Sequence, residues 1–145
     1  MNGLQSFVYV EDNQEHSTAF IRAFAQTRVS NEMIVLSEME RVREYFSSVA
    51  NRKRDLPALT MVNLSFGGGV GTEVIGWIRS FAELKTIPAV ALASTYDFDQ
   101  LEQSYERGAN LYLLKPRNIH EWADLVFRLQ GYWSGQSEVT VPEIL

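Results

Sequence analysis

LTMVNLSFGGGVGTEVIGWI, Leu59 to Ile78, changes its hydrophobic rhythm twice. Leu59–Val62 is a short run of strand-favouring residues without polar alternation, which suits a strand covered on both faces. A glycine-rich turn follows. Then Val74, Ile75, Ile78 and, further on, Phe81 recur at helical spacing. Strand, turn and helix make one βα unit, and the polar residue that closes the strand is Asn63, an amide. The loop is not a nucleotide fingerprint. Thr72 stands where Gly67-x-Gly69 requires a further glycine, and no Gly-Lys-Ser/Thr follows. We read it as a strand-to-helix turn, with Gly71 near the start of the helix.

The same unit recurs on either side. Phe7–Val10, Met33–Leu36, Ala89–Leu92 and Leu111–Leu114 are further apolar runs. Between them lie helical stripes: Ala19, Phe20, Ala23 and Phe24, then Val42, Tyr45, Phe46 and Val49. Ile119, Trp122, Ala123, Val126, Leu129 and Trp133 mark a long last helix. Strand and helix alternating five times predict an α/β fold with a parallel sheet covered by helices on both faces. Right-handed crossovers leave few arrangements, and five βα units fit the flavodoxin-like strand order 2-1-3-4-5. Residues 1–133 are expected to form one domain, with 134–145 as a C-terminal tail.

Composition narrows the function classes. The chain has 145 residues, 46% hydrophobic, a formal charge of −5 and no cysteine. Disulfides and thiolate metal sites are excluded. Scattered basic residues and a net negative charge argue against non-specific nucleic-acid binding. Arg52-Lys53-Arg54, the densest basic run, reads as a solvated loop. The N-terminus lacks the basic and apolar regions of a signal peptide, and no run approaches a membrane span. A cytoplasmic protein with no membrane contact is expected.

In an open parallel sheet, ligands sit beyond the carboxyl ends of the strands. Those ends carry Glu11-Asp12-Asn13, Asn63, Ala93-Ser94-Thr95 and Lys115-Pro116. With IPAVALAS before the fourth end and YERGANLYLLKP around the fifth, the chain resembles a response-regulator receiver domain from about Phe7 to Trp133. NRKRDLPA, SFAELKTIP, SYERGAN and the GYW that ends the last helix are similar to the stand-alone receivers that partner phytochrome-type histidine kinases.

The resemblance implies definite roles. In the family an aspartate ending strand three takes a phosphoryl group from a phosphohistidine, and an acidic pair after strand one holds Mg²⁺, a hard cation that prefers oxygen. A Thr or Ser ending strand four contacts the phosphoryl group, a lysine neutralises it, and an aromatic on strand five swings inward with the hydroxyl. Here Glu11 and Asp12 match the acidic pair, Lys115 the lysine and Tyr112 the aromatic. Asn63 falls at the phosphoacceptor, where an amide is not a carboxylate nucleophile. Ala93 falls at the Thr/Ser position and has no hydroxyl, while Ser94 should point to the opposite face. The phosphoacceptor site reads as degenerate. Two carboxylates against one lysine leave about −1 where family sites carry about −2, so divalent-ion binding should be absent or weak, with Mg²⁺ on Glu11 and Asp12 the only candidate cofactor. Lys115 is expected to pair with Asp12 or Glu11 and to donate to the Asn63 side-chain oxygen.

The expected function is therefore a pseudo-receiver in two-component signalling, not an enzyme, which works through a histidine kinase or another signalling protein. Tyr105, Tyr132 and Trp133 are candidate interface residues on the helix 4–strand 5–helix 5 face, where a homodimer is also expected. The alternative is a flavodoxin-like module that binds a flavin or another small ligand through the glycine loop; the acidic VEDNQEH loop argues against it. His16 reads as a surface histidine, and Ser94-Thr95 as helix-capping residues rather than modification sites.

Overall fold

The computed structural model describes residues 5–27 and 31–133. Its strands are β1 (Phe7–Val10), β2 (Met33–Leu36), β3 (Leu59–Asn63), β4 (Ala89–Ala93) and β5 (Leu111–Leu114). Its helices are α1 (Gln14–Ala25), α2 (Met39–Ala50), α3 (Gly71–Arg79), α4 (Phe98–Glu106) and α5 (Ile119–Trp133). All five strands run parallel in one sheet, ordered β2-β1-β3-β4-β5, as the alternating pattern predicts.

Side chains alternate across the strands and divide the core in two. Val8, Val10, Val62, Ala91 and Tyr112 pack with Val42, Phe46, Val49, Val74, Ile75 and Ile78 on one face. Phe7, Tyr9, Met61, Leu92 and Leu113 pack with Phe20, Phe24, Trp122, Val126 and Leu129 on the other. Because both faces are covered, the strands lack polar alternation. The last-helix stripe needs one correction: Ala123 is exposed and Leu125 is buried in its place. α4 turns Leu101 and Tyr105 to the core, both only partly buried. Ser104 is its only fully buried residue, and its position follows from the strands it connects.

Three local devices bring the strand ends together. Asn13 caps α1, its Oδ1 accepting from His16 N at 3.1 Å. Asp97 caps α4 in the same way, accepting from Gln100 N at 3.0 Å. At the start of α3, the backbone of Gly71 passes so close to β3 that an added Cβ would lie 2.4 Å from Leu64 Cα and 2.6 Å from Asn63 O. Only glycine permits that approach.

Candidate functional site

Glu11 is the hub of the crevice at the strand ends. Only 1% of its surface is exposed. A buried carboxylate requires partners, and this one has four donors. Tyr9 Oη donates to Oε1 at 2.6 Å and Lys115 Nζ at 2.5 Å, while Asn13 N donates to Oε2 at 3.1 Å and Asn63 Nδ2 at 2.6 Å. The Tyr9 hydroxyl is held protonated far above the usual phenol range, chiefly by burial and then by the Glu11 charge.

Asn63, 3% exposed, lies in the crevice as expected, but its bonding corrects the sequence reading. Lys115 pairs with Glu11 and does not donate to the Asn63 oxygen. The amide instead turns its Nδ2 to Glu11, while its Oδ1 accepts from Ser65 N at 3.0 Å. This orientation follows from the donor–acceptor inventory. A carboxylate can only accept, so the neighbouring amide meets it with N–H and leaves its oxygen for the backbone of the next turn.

Asp12 diverges from Glu11, as adjacent residues at a strand end should. It is exposed, and its Oδ2 accepts from Gly67 N at 2.9 Å across the crevice. That contact clasps the glycine loop, which turns through positive φ at Gly67 (61°), Gly68 (83°) and Gly69 (115°). The amide best placed to greet an anion is thus engaged by a carboxylate.

His16 is a residue that sequence reasoning missed. It is half-buried, with Nδ1 2.9 Å from Lys115 Nζ and its ring 5.9 Å from the Trp122 ring. A lysine ammonium has no acceptor, so Nδ1 accepts and the proton sits on Nε2. Burial, then the Lys115 charge, lowers the imidazole pKa below its ordinary value. The available signal was spacing: His16 lies one turn into a helix whose cap is bonded to Glu11.

Ala93 is buried and Ser94 exposed, as strand alternation requires. Tyr112 is fully buried beside this end of β4. Its hydroxyl donates to Thr95 O at 3.3 Å and accepts from Asp97 N at 3.2 Å, tying the ring to the β4–α4 connection. Burial raises its pKa. Tyr105 is half-buried against the core. The Tyr132 and Trp133 side chains, and the tail 134–145, lie outside the described residues. The exposed aromatics that the structure does describe on these elements are Tyr96 and Phe98 (51% and 57% exposed), which flank the α4 cap, and Phe127 of α5 (75% exposed); Tyr96 meets Tyr112 edge-on at 6.3 Å.

The donor set fits a divalent cation poorly. Mg²⁺ asks for several oxygens in octahedral array. The Glu11 oxygens each accept two hydrogen bonds, one Asp12 oxygen is on Gly67, and the described residues include no cluster of three metal-ligating side chains.

Sheet order, acidic strand end, buried lysine and inward tyrosine are arranged as in the response-regulator receiver domains of two-component signalling, within a flavodoxin-like fold. The particular proteins it is similar to agree. The chain is 28% identical over 126 residues to "Probable methanogenesis regulatory protein FilR2" of Methanothrix harundinacea, covering 87% of this chain and 81% of that one. It is 27% identical over 140 residues to the response regulator Rcp1 of Synechocystis, covering 92% and 90%. The phosphorylated cyanobacterial phytochrome response regulator RcpA superposes with a TM-score of 0.81 at 25% identity, covering 96% and 100%. The Mn²⁺-bound form of Rcp1 superposes at 0.76 with 23% identity, covering 94% and 99%. No protein-family model matches the chain. Among the described residues no helix is long and apolar enough to cross a membrane.

Proposed function

We propose that this chain is a pseudo-receiver of two-component signalling, which acts through protein–protein contacts and takes no phosphoryl group on Asn63. One observation carries the reading: the Asn63 amide is a hydrogen-bond donor to Glu11, inside a network that Lys115 already neutralises. Acyl-phosphate chemistry needs an ionised oxygen with a free lone pair, and here the side chain presents N–H to the crevice and commits its oxygen to Ser65. Coordination of a divalent cation by Glu11 would require breaking charge-assisted hydrogen bonds, so Mg²⁺ binding at Glu11 and Asp12 is weak and not part of the resting site.

The partner on this reading is a histidine kinase or another signalling protein, not a nucleic acid, and the setting is the cytoplasm. Contact falls on the β4–α4 end of the α4–β5–α5 face. There Tyr96 and Phe98 stand exposed beside Asp97, and Tyr112 holds the connecting backbone from below. Exposed aromatics over a rigid backbone suit recognition rather than turnover, so no catalytic role is assigned. The flavin alternative finds no support, since the loop amide that would meet a phosphate is on Asp12.

The test is phosphorylation. The protein is incubated with acetyl phosphate, or with a cognate kinase and ATP, in the presence of Mg²⁺, and its intact mass is measured. We expect the unmodified mass under conditions that fully modify a canonical receiver. A stable adduct mapped to the strand-end cluster refutes the proposal.

A further inference from the structure

The two edges of the sheet differ. β5 is buried at Leu111, Tyr112 and Leu113, whereas β2 is half-exposed at Met33, Ile34 and Val35 and, among the described residues, pairs only with β1. Glu32 O accepts from Phe7 N and Leu36 O from Glu11 N, so the even-numbered residues turn their backbone groups toward β1. By alternation Met33, Val35 and Ser37 turn theirs to the open side. The strand reads MIVL, with neither a charge nor a proline to blunt it, and such an edge is a template for another strand.

A groove of about 580 Å³ lies along this edge, between β2 and α2. Its charged residues alternate in sign along the chain: Glu38, Arg41, Glu44 and Arg54, the last stacked over the Tyr45 ring at 5.5 Å. All four are exposed. These four charges cancel on a chain of net charge −5, with Glu32 a further charge near Tyr45. The order of signs discriminates between ways of covering it. A second copy running antiparallel sets Glu38 against Arg54 of the second copy and Arg41 against its Glu44. A copy running parallel sets like charge against like. Two-fold symmetry makes such a patch self-complementary.

From this juxtaposition we infer that β2 is a dimerisation edge. Two copies join β2 to β2 in antiparallel register across a two-fold axis and continue the sheet, while Glu38–Arg54 and Arg41–Glu44 pairs flank the new strand pair. The inference is independent of the chemistry at Asn63, and it moves self-association from the α4–β5–α5 face to the opposite edge of the sheet.

Sedimentation velocity of the full chain over a range of concentrations tests it. We expect a reversible monomer–dimer equilibrium. Arg41→Glu places Glu against Glu44 of the second copy twice per dimer and should weaken association by about tenfold or more. The double change Arg41→Glu with Glu44→Arg should restore it, which a general loss of stability would not. Val35→Pro removes an open-side N–H without touching the β1 ladder and should abolish the dimer. Circular dichroism checks that each variant is folded, and the charge-swap pair decides the matter if the proline variant is not. A protein that stays monomeric at millimolar concentration, or a dimer indifferent to Arg41→Glu, overturns the inference.

Discussion

Asn63→Asp is the most informative single change, and its cost can be worked from the site. The amide nitrogen lies 2.6 Å from Glu11 Oε2, and both residues are buried. Two carboxylates held at ~3 Å repel by about 5 kcal/mol at an effective dielectric constant of ~20. Protonation offers the variant a cheaper route, since a neutral Asp can donate to Glu11 as the amide did. Keeping a group of unfolded pKa ~3.9 protonated costs about 4 kcal/mol at pH 7 and about 1.5 kcal/mol at pH 5. The folded state of the variant then binds more protons than the unfolded one, so its stability falls as pH rises through this window. Thermal unfolding in EDTA should show a melting temperature roughly 10 °C below the parent at pH 7, with most of the gap closed at pH 5. Mg²⁺ at about a hundred times its Kd should return about 2.7 kcal/mol to the variant and far less to the parent. If Asn63→Asp melts with the parent in EDTA at both pH values, Asn63 is not held against Glu11 and the reading of the site collapses.

Three further outcomes follow from the same geometry. Lys115→Met leaves the Glu11 carboxylate buried without its cation and should cost about 3–5 kcal/mol in urea unfolding, more than half of it recovered when Glu11→Gln is added. Gly71→Ala, whose Cβ would strike backbone at Leu64, should destabilise by several kcal/mol, whereas Gly68→Ala, at φ +83° in open space, should cost only ~1–2 kcal/mol; denaturant midpoints compare the two. His16 is held below its ordinary pKa, so the unfolded chain takes up a proton first as pH falls from about 6.5, and stability declines from there; melting temperatures of the parent should show this slope and those of His16→Gln should lose it.

The fold was legible because its signals are local. Phe7–Val10, Met33–Leu36 and Leu111–Leu114 have the same bounds as sequence runs and as strands, and β3 and β4 each extend their runs by one residue. α4 was read only as an interval between strands; its core-facing residues Leu101 and Tyr105 are only partly buried, and Ser104 is its single fully buried one. At the site, Glu11, Asn63 and Lys115 were legible as strand-end residues, and adjacency alone said that Glu11 and Asp12 diverge, but which of the two turns inward to Lys115 was left open.

The sequence by itself determined which groups meet beyond the strand ends, because a parallel sheet with one register brings them there whatever their chemistry. Which atom faces which was decided only by the tertiary structure. Asn63 can donate or accept, and the choice was made by Glu11, 52 residues away in the chain and already charged and buried. Lys115 had two acids and an amide within reach, and a histidine from one turn into α1 became its second partner. Hydrogen-bond direction in a buried network is set by the least flexible member, here a carboxylate that can only accept, and no pattern along a single chain segment encodes it.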